Sequence, residues 1–166
     1  MVKEMGEFKV FVGGPFSLAV NPQRQFDSDI KHRVNFLIGV ARNKGFRVFS
    51  SHEREGWGAL TDAPERLARI DLHELAESSI LLTYWGRIIS IGSLLELGVA
   101  IDSGKKIVVV REPDVVIASD FYQGVVRLGL INEVIWTTSE SVATAVGEFL
   151  ENFKDAQNRR ISGLGD

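Results

Sequence analysis

Strand-like and helix-like segments alternate along the whole chain, and this alternation restricts its fold more than any other feature. Short β-rich runs are separated by segments that carry apolar residues at helical spacing. Strands are expected at residues 8–12, 46–49, 79–85, 107–111 and 133–137. Helices are expected at 26–44, 64–77, 92–103 and 139–153. Such βαβ alternation predicts a parallel sheet with helices on both faces.

Five strands point to a flavodoxin-like or Rossmann-like α/β three-layer fold, with a five-stranded parallel sheet in the order 2-1-3-4-5. In this order, ligands bind at the carboxyl ends of strands 1 and 3. We expect one domain at residues 1–155 and a flexible, mostly polar tail at 156–166. Loops are expected at 50–63 and 86–91, and the irregular segment 113–130 is expected to hold a loop and a helix.

The composition excludes several kinds of function. The chain has no cysteine, which excludes disulfides, thiolate nucleophiles and cysteine-bound zinc. Its net charge of -3 gives no basic field for a nucleic-acid backbone, and no apolar run reaches the roughly 20 residues that cross a bilayer. No grouping of histidines and carboxylates has metal-ligand spacing. The first ten residues lack the apolar core of a signal peptide. We therefore expect a cytoplasmic protein that uses no metal or cofactor and binds neither nucleic acid nor membrane.

A glycine-rich turn, Val12-Gly13-Gly14-Pro15-Phe16, follows the first expected strand. Two glycines at a strand end allow a ligand to come close to the backbone, although a tight βα turn uses them equally. The turn lacks the third glycine of a dinucleotide fingerprint and the Gly-Lys-Ser/Thr of a Walker loop. It therefore indicates either a ligand site or a simple turn.

A second polar segment opens the helix that follows the third strand. Ser90, Gly92 and Ser93 lie at its N-terminus, where free amide groups and the helix dipole favour an anion such as phosphate. Glu96 follows Ser93 by three residues and shares its helix face among apolar neighbours. Its carboxylate either faces a site or has a helix-capping or surface role, and the residues alone favour the second interpretation.

Asp71 stands in the middle of the helix expected at 64–77, although aspartate is a mediocre helix former. A solvent-facing charge paired with Arg66 or Arg69 explains it, and the residues alone favour that interpretation. A functional role becomes the better explanation if this helix packs beside the carboxyl end of strand 1.

The segment after the second strand is rich in groups that bind ligands. It holds His52, two glutamates, Arg54 and Trp57 among glycines. Tryptophan can stack on a base, and histidine can form hydrogen bonds or transfer protons. The alternative is a loop whose tryptophan fills the edge of the core while its charges stay solvated.

In this order, the segments resemble the nucleoside 2-deoxyribosyltransferase superfamily, which includes the nucleoside 5′-monophosphate N-glycosidases. The resemblance covers about residues 9–111. It rests on the turn at 11–16, the Asp71 helix, and the Gly-Ser-x-x-Glu-Leu-Gly-x-Ala segment followed by Gly104-Lys105-Lys106. The segment His52-x-Arg54-Glu55-x-Trp57-Gly58-Ala59 brings the chain nearest to the CMP N-ribosidases of nucleoside-antibiotic pathways, of the mildiomycin and blasticidin S type.

The resemblance assigns catalysis to two carboxylates. Glu96 is expected to attack or shield the sugar C1′, and Asp71 to be its acid/base partner. N-glycosidic cleavage passes through an oxocarbenium-like state that a carboxylate stabilises, and the leaving base needs a proton. The substrate-binding residues that the resemblance implies are Phe11, Gly13, Gly14, Pro15, Phe16, His52, Trp57, Ser90, Gly92, Ser93 and Ser119.

Within this set, the resemblance gives the 5′-phosphate to Ser90, Gly92 and Ser93, and the base to Phe16 and the segment 52–57. It also implies a homodimer or higher homo-oligomer whose partner completes the active site. The segment 114–127 is the candidate for that contribution, with Ser119 as its phosphate contact.

Two positions bear on the substrate. Phe11 stands where relatives that prefer 2′-deoxy sugars carry tyrosine, so the missing hydroxyl favours ribonucleotides. Ser17 stands where the mildiomycin-type enzyme has a basic residue. A cation that recognises cytosine must then come from elsewhere, with Arg24, Arg54 and Arg87 as the candidates.

We therefore expect an enzyme that hydrolyses the N-glycosidic bond of a nucleoside 5′-monophosphate, a pyrimidine ribonucleotide such as CMP, to free base and ribose 5-phosphate. One alternative is a nucleoside 2-deoxyribosyltransferase. Phe11 and the serine-rich start of the helix argue against this alternative. Another alternative is a non-catalytic nucleotide-binding or sensor module. The presence of both Glu96 and Asp71 argues against it. NAD cleavage is a more distant alternative.

Overall fold

A fully parallel five-stranded sheet forms the middle layer of the computed structural model, which describes residues 8–162. The order β2-β1-β3-β4-β5 confirms the predicted 2-1-3-4-5 topology. The strands are β1 at Lys9–Gly13, β2 at Arg47–Phe49, β3 at Ile80–Trp85, β4 at Lys106–Arg111 and β5 at Asn132–Ile135.

The described residues form six α-helices, which cover the two faces of this sheet. They are α1 at Ser28–Asn43, α2 at Ser51–Arg54, α3 at Pro64–Glu77, α4 at Ile91–Asp102, α5 at Asp120–Arg127 and α6 at Ser139–Ser162. A single 3-10 turn at Ser17–Ala19 follows the glycine-rich turn. Within residues 8–162, no helix is both long and apolar enough to cross a membrane.

The two faces of the sheet bury two separate apolar clusters. Val10 and Val12 of β1 point to the cluster that α1 and α6 cover, while Phe11 between them points to the cluster under α3, α4 and α5. Every residue of β3 is buried, as expected for a strand with both faces covered. The helix that carries Asp71 and the helix that carries Glu96 therefore lie on the same face of the sheet.

Element ends differ from prediction where local contacts decide them. Helix α1 begins at Ser28 rather than residue 26, because the Asp27 side chain accepts hydrogen bonds from the backbone N–H groups of Asp29 and Ile30. The segment 50–63, expected to be a loop, contains the one-turn helix α2.

Helix α6 continues nine residues past the predicted end at Phe153, to Ser162. Its additional residues include good helix formers and no proline or glycine. The flexibility expected for the tail at 156–166 stays a prediction, and residues 163–166 of that tail lie outside the described residues. The start of the predicted domain, residues 1–7, also lies outside them.

Candidate active site

A cavity of about 910 Å³ opens at the carboxyl edge of the sheet, where β2, β1 and β3 end. This is the edge at which the predicted topology places a ligand. The cavity is lined by Gly14, Phe16, Ser17, Leu18, Val20, Asn21, Pro22, Arg24, Ser51, Glu55, Leu60, Thr61, Asp62, Pro64, Leu67, Ala68, Asp71, Ser90, Ile91, Gly92, Ser93 and Glu96. A smaller cavity of about 400 Å³ lies at the opposite edge, at the start of β4 and β5.

Glu96 points from α4 toward the sheet. Its Oε2 atom lies 3.0 Å from the position that a Cβ atom would occupy at Gly13, and the Phe11 ring lies 3.5 Å from the same position. Only a residue without a side chain leaves this space for the carboxyl group. Burial and, to a smaller extent, the nearby charge of Asp71 together raise the pKa of Glu96 to about 8.

Asp71 projects from α3 into the same cavity. Burial raises the pKa of Asp71 to about 6, against the opposing effect of the Arg54 guanidinium. Arg54 Nη2 lies 3.3 Å from Asp71 Oδ1 and donates a hydrogen bond to Glu55 Oε1 at 2.6 Å. Near neutral pH, one proton therefore resides mainly on Glu96 and the negative charge mainly on Asp71.

The N-terminus of α4 forms the side of the cavity nearest β3. Ser90 caps the helix, because its Oγ accepts a hydrogen bond from the backbone N–H of Ser93 at 3.1 Å. The hydroxyl groups of Ser90 and Ser93 also lie 2.9 Å apart, and both residues are buried. A helix N-terminus with two hydroxyl groups is suited to binding an anionic group.

His52 lies behind the cavity wall rather than in its lining. Its Nε2 is 3.1 Å from the Pro15 carbonyl oxygen, and its Nδ1 is 3.3 Å from Ser50 Oγ. The ring packs against Phe16 and Trp57, and desolvation lowers the pKa of His52 to about 4. The imidazole is therefore neutral, and it anchors the turn that presents Phe16 to the cavity.

Trp57, predicted to border the base, also lies behind this wall. Its ring packs edge-on against Phe26 and carries the Lys31 ammonium 5.3 Å from its centroid. The neighbouring Gly58 has φ of 85°, and a Cβ atom there would come within 2.8 Å of Val20. His52 and Trp57 therefore support the cavity wall from outside.

The other predicted site residues lie at different distances from the cavity. Gly14, Phe16, Ser90, Gly92 and Ser93 line it together with the two carboxylates. Phe11, Gly13 and Pro15 are buried directly beneath or beside it. Ser119 is exposed and caps α5 by accepting a hydrogen bond from the Tyr122 N–H, and it does not line the cavity.

The three candidate cations occupy very different places. Arg24 lines the cavity, has φ of 62°, and donates a hydrogen bond to the Leu60 carbonyl oxygen. Arg54 is bound to Glu55 and Asp71, and Arg87 is exposed beside Asp114. Arg24 is therefore the one of the three that can reach a ligand from a cavity wall.

Glu55 is a cavity residue that the sequence did not single out. It is buried, and burial raises the pKa of Glu55 against the opposing effect of Arg54. The charge-rich segment 52–55 was the available signal, but nothing in it distinguishes an inward-facing carboxylate from a solvated one. Within the described part of the chain, no cluster of histidines and carboxylates is arranged to hold a metal ion.

No family model and no curated protein matches the chain. Solved structures do match it. BlsM shares 23% identity with a TM-score of 0.68, over 92% of this chain and 95% of that one. A CMP N-glycosidase of Clostridium botulinum, BcmB, shares 17% identity with a TM-score of 0.60, over 83% of this chain and 97% of that one.

A conserved protein of Enterococcus faecalis V583 shares 17% identity with a TM-score of 0.55, over 83% of this chain and 96% of that one. At these identities, the similarity shows a common fold. The chain has the same α/β fold as these proteins, one of which is a CMP N-glycosidase.

Proposed function

We propose that this protein hydrolyses the N-glycosidic bond of a nucleoside 5′-monophosphate, a pyrimidine ribonucleotide such as CMP, to free base and ribose 5-phosphate. One observation carries the proposal. Two carboxyl groups, Glu96 and Asp71, face one cavity with pKa values of about 8 and about 6, beside a helix N-terminus suited to phosphate.

The chemistry follows from a pair that holds one proton. As the C1′–N bond breaks, its electron pair leaves with the base, and the ionised Glu96 stabilises the positive charge that develops on the sugar. The proton passes to Asp71, which donates it to the base. Water then bonds to C1′, either displacing the Glu96 ester or attacking the shielded cation. Its released proton returns to the carboxyl pair.

The cavity has room and partners for the rest of the nucleotide. Ser90, Gly92 and Ser93 hold the phosphate at the β3 side. Phe16 and the cation of Arg24 face the base at the β2 side, where Glu55 can accept a hydrogen bond from an amino group such as that of cytosine. Phe11 has no hydroxyl to crowd the sugar, so a ribose 2′-OH fits beside it.

The proposed active form is a homodimer in which the partner completes the site. The support is a set of exposed apolar side chains on α4 and α5: Ile91, which lines the cavity, is 77% exposed, Leu95 is 66% exposed and Phe121 is 78% exposed. Pairing of such surfaces removes apolar area from water. It also brings a partner's Ser119 region near the phosphate side.

Analytical ultracentrifugation tests the proposed dimer. A protein that is monomeric at micromolar concentration and fully active contradicts it.

A chromatographic screen for released base tests the function itself. Ribo- and deoxyribonucleoside monophosphates are incubated separately with the protein, and the free base is quantified. We expect release from pyrimidine ribonucleotides, with CMP among the best substrates. Binding without release across the panel supports a sensor module instead. Base exchange between a deoxynucleoside and an added acceptor base supports a transferase.

A further inference from the structure

Thr83 is a small polar residue in the strand β3, which is otherwise made of aliphatic and aromatic residues. It is 1% exposed, and its Oγ1 makes no hydrogen bond with the described part of the chain. Since a buried hydroxyl without a partner destabilises a fold, valine would suit this position better for stability alone. The stability of the resting fold therefore does not explain why this position holds a threonine.

The position of Thr83 next to Glu96 explains its hydroxyl group. Thr83 pairs with Gly13 across β1 and β3, and both side-chain directions face the α4 side of the sheet. Thr83 Oγ1 lies 3.5 Å from the position that a Cβ atom would occupy at Gly13, and Glu96 Oε2 lies 3.0 Å from the same position. Because Gly13 has no side chain to separate them, rotation of the Glu96 side chain can bring the two oxygens together.

The other groups that face Glu96 oppose its ionisation. The Phe11 ring on β1 contributes to its burial, and the carboxylate of Asp71 on α3 adds a like charge. Arg54 on α2 lies against Asp71 and Glu55, so its charge is directed to them. Glu96 must nevertheless become a carboxylate for the proposed reaction, and a neutral hydroxyl donor is the group that stabilises one at such a position.

We infer that Thr83 is a positioning residue that donates a hydrogen bond to the Glu96 carboxylate when this group ionises. The inference rests on the proposed function, in which Glu96 acts as a carboxylate. In the resting protein, the protonated Glu96 does not require this bond, so the hydroxyl remains unpartnered. During the reaction, the bond holds the carboxylate above Gly13 and favours its charged form.

Thr83→Val tests the inference, because valine has the same shape without the hydroxyl group. We expect a melting temperature equal to or above that of the wild type, since an unpartnered buried hydroxyl is removed. We also expect kcat for base release to fall between about 10-fold and 100-fold, as for a lost hydrogen bond to a charged group. The alkaline limb of the pH profile should move upward. The matched control Thr83→Ser restores both kcat and the pH profile.

An NMR titration of the Glu96 carboxyl carbon separates this inference from the proposed function. With ¹³C-labelled glutamate and Glu96→Gln to assign the signal, we expect the pKa of Glu96 to be higher in Thr83→Val than in the wild type. An unchanged pKa overturns the inference, whether or not any nucleotide is cleaved. A lower melting temperature in Thr83→Val, or a wild-type kcat, also overturns it. Absence of base release by the wild-type protein counts against the proposed function alone.

Discussion

His52 and Glu96 are ionisable residues next to the glycine-rich turn, one on each face of the sheet. His52 is fully buried, whereas Glu96 is partly buried, and their surroundings differ. Both ring nitrogens of His52 have partners, and aromatic rings enclose it. Glu96 has the Asp71 carboxylate nearby, and burial and this charge both shift its pKa upward. An ionisable group whose hydrogen bonds are all satisfied stabilises the structure. An ionisable group whose surroundings shift its pKa far from the ordinary value is suited to catalysis.

The largest expected effect separates these two residues through activity. Glu96→Gln should lower kcat for base release by about 10³- to 10⁴-fold, since the carboxylate that stabilises the sugar cation is lost. The fold should remain intact, because the amide has nearly the same shape. Circular dichroism and the chromatographic assay measure the two quantities. Retention of more than a tenth of the wild-type kcat would contradict the role of Glu96.

The converse effect is expected at His52. His52→Ala removes a ring that is 1% exposed and its hydrogen bond to Pro15, and should lower the free energy of unfolding by about 2–4 kcal/mol. Urea denaturation measures this change. Where enough folded protein remains, kcat should fall far less than in Glu96→Gln. A stable variant with abolished base release would show that His52 acts in the chemistry and would contradict its structural role.

The pH dependence follows from the two pKa values of the carboxyl pair. Base release should be greatest between about pH 6 and pH 8. Below this window both groups are protonated and no carboxylate stabilises the cation, and above it no proton is available for the base. One pH unit beyond each limb, kcat/KM should be lower by about 10-fold. A flat profile from pH 5 to pH 9 would contradict the shared-proton mechanism.

The free energy of unfolding should also depend on the titration of Glu96, and it should decrease as the pH rises. The pKa of folded Glu96 is raised above its ordinary value of 4.5, so its proton is held more tightly in the folded state. Stability is therefore lost as pH rises from about 4.5 toward 8. Glu96→Gln should raise the melting temperature more at pH 8.5 than at pH 5.

The smallest expected effect concerns the space under the carboxyl group. Gly13→Ala places a methyl group 3.0 Å from Glu96 Oε2 and should lower kcat by about threefold to tenfold through misplacement of the carboxylate. Gly39→Ala in α1 is the matched control, because a Cβ atom there meets nothing within 4 Å. The control should keep its kcat and gain about 0.5–1 kcal/mol of stability. Equal kcat values in both variants would show that Gly13 does not shape the site.

The sequence predicted the sheet order and the bounds of α3 because alternation and the proline at helix position N1 are local signals. It did not predict the enclosure of His52, since the rings of Phe16, Phe26 and Trp57 come together only in the fold. The inward position of Glu55 was likewise not visible, because its neighbours in sequence are equally charged. The local sequence pattern is the same for a carboxylate that faces solvent and for one that faces a cavity.

In the proposed mechanism, Glu96 and Asp71 face one sugar in the cavity at the ends of β1 and β3. A crystal structure of Glu96→Gln with CMP bound measures this most directly. We expect the sugar C1′ within about 3.5 Å of the substituted side chain, and the phosphate at Ser90 and Ser93. A nucleotide bound elsewhere, or bound here with C1′ turned away from both positions, would contradict it.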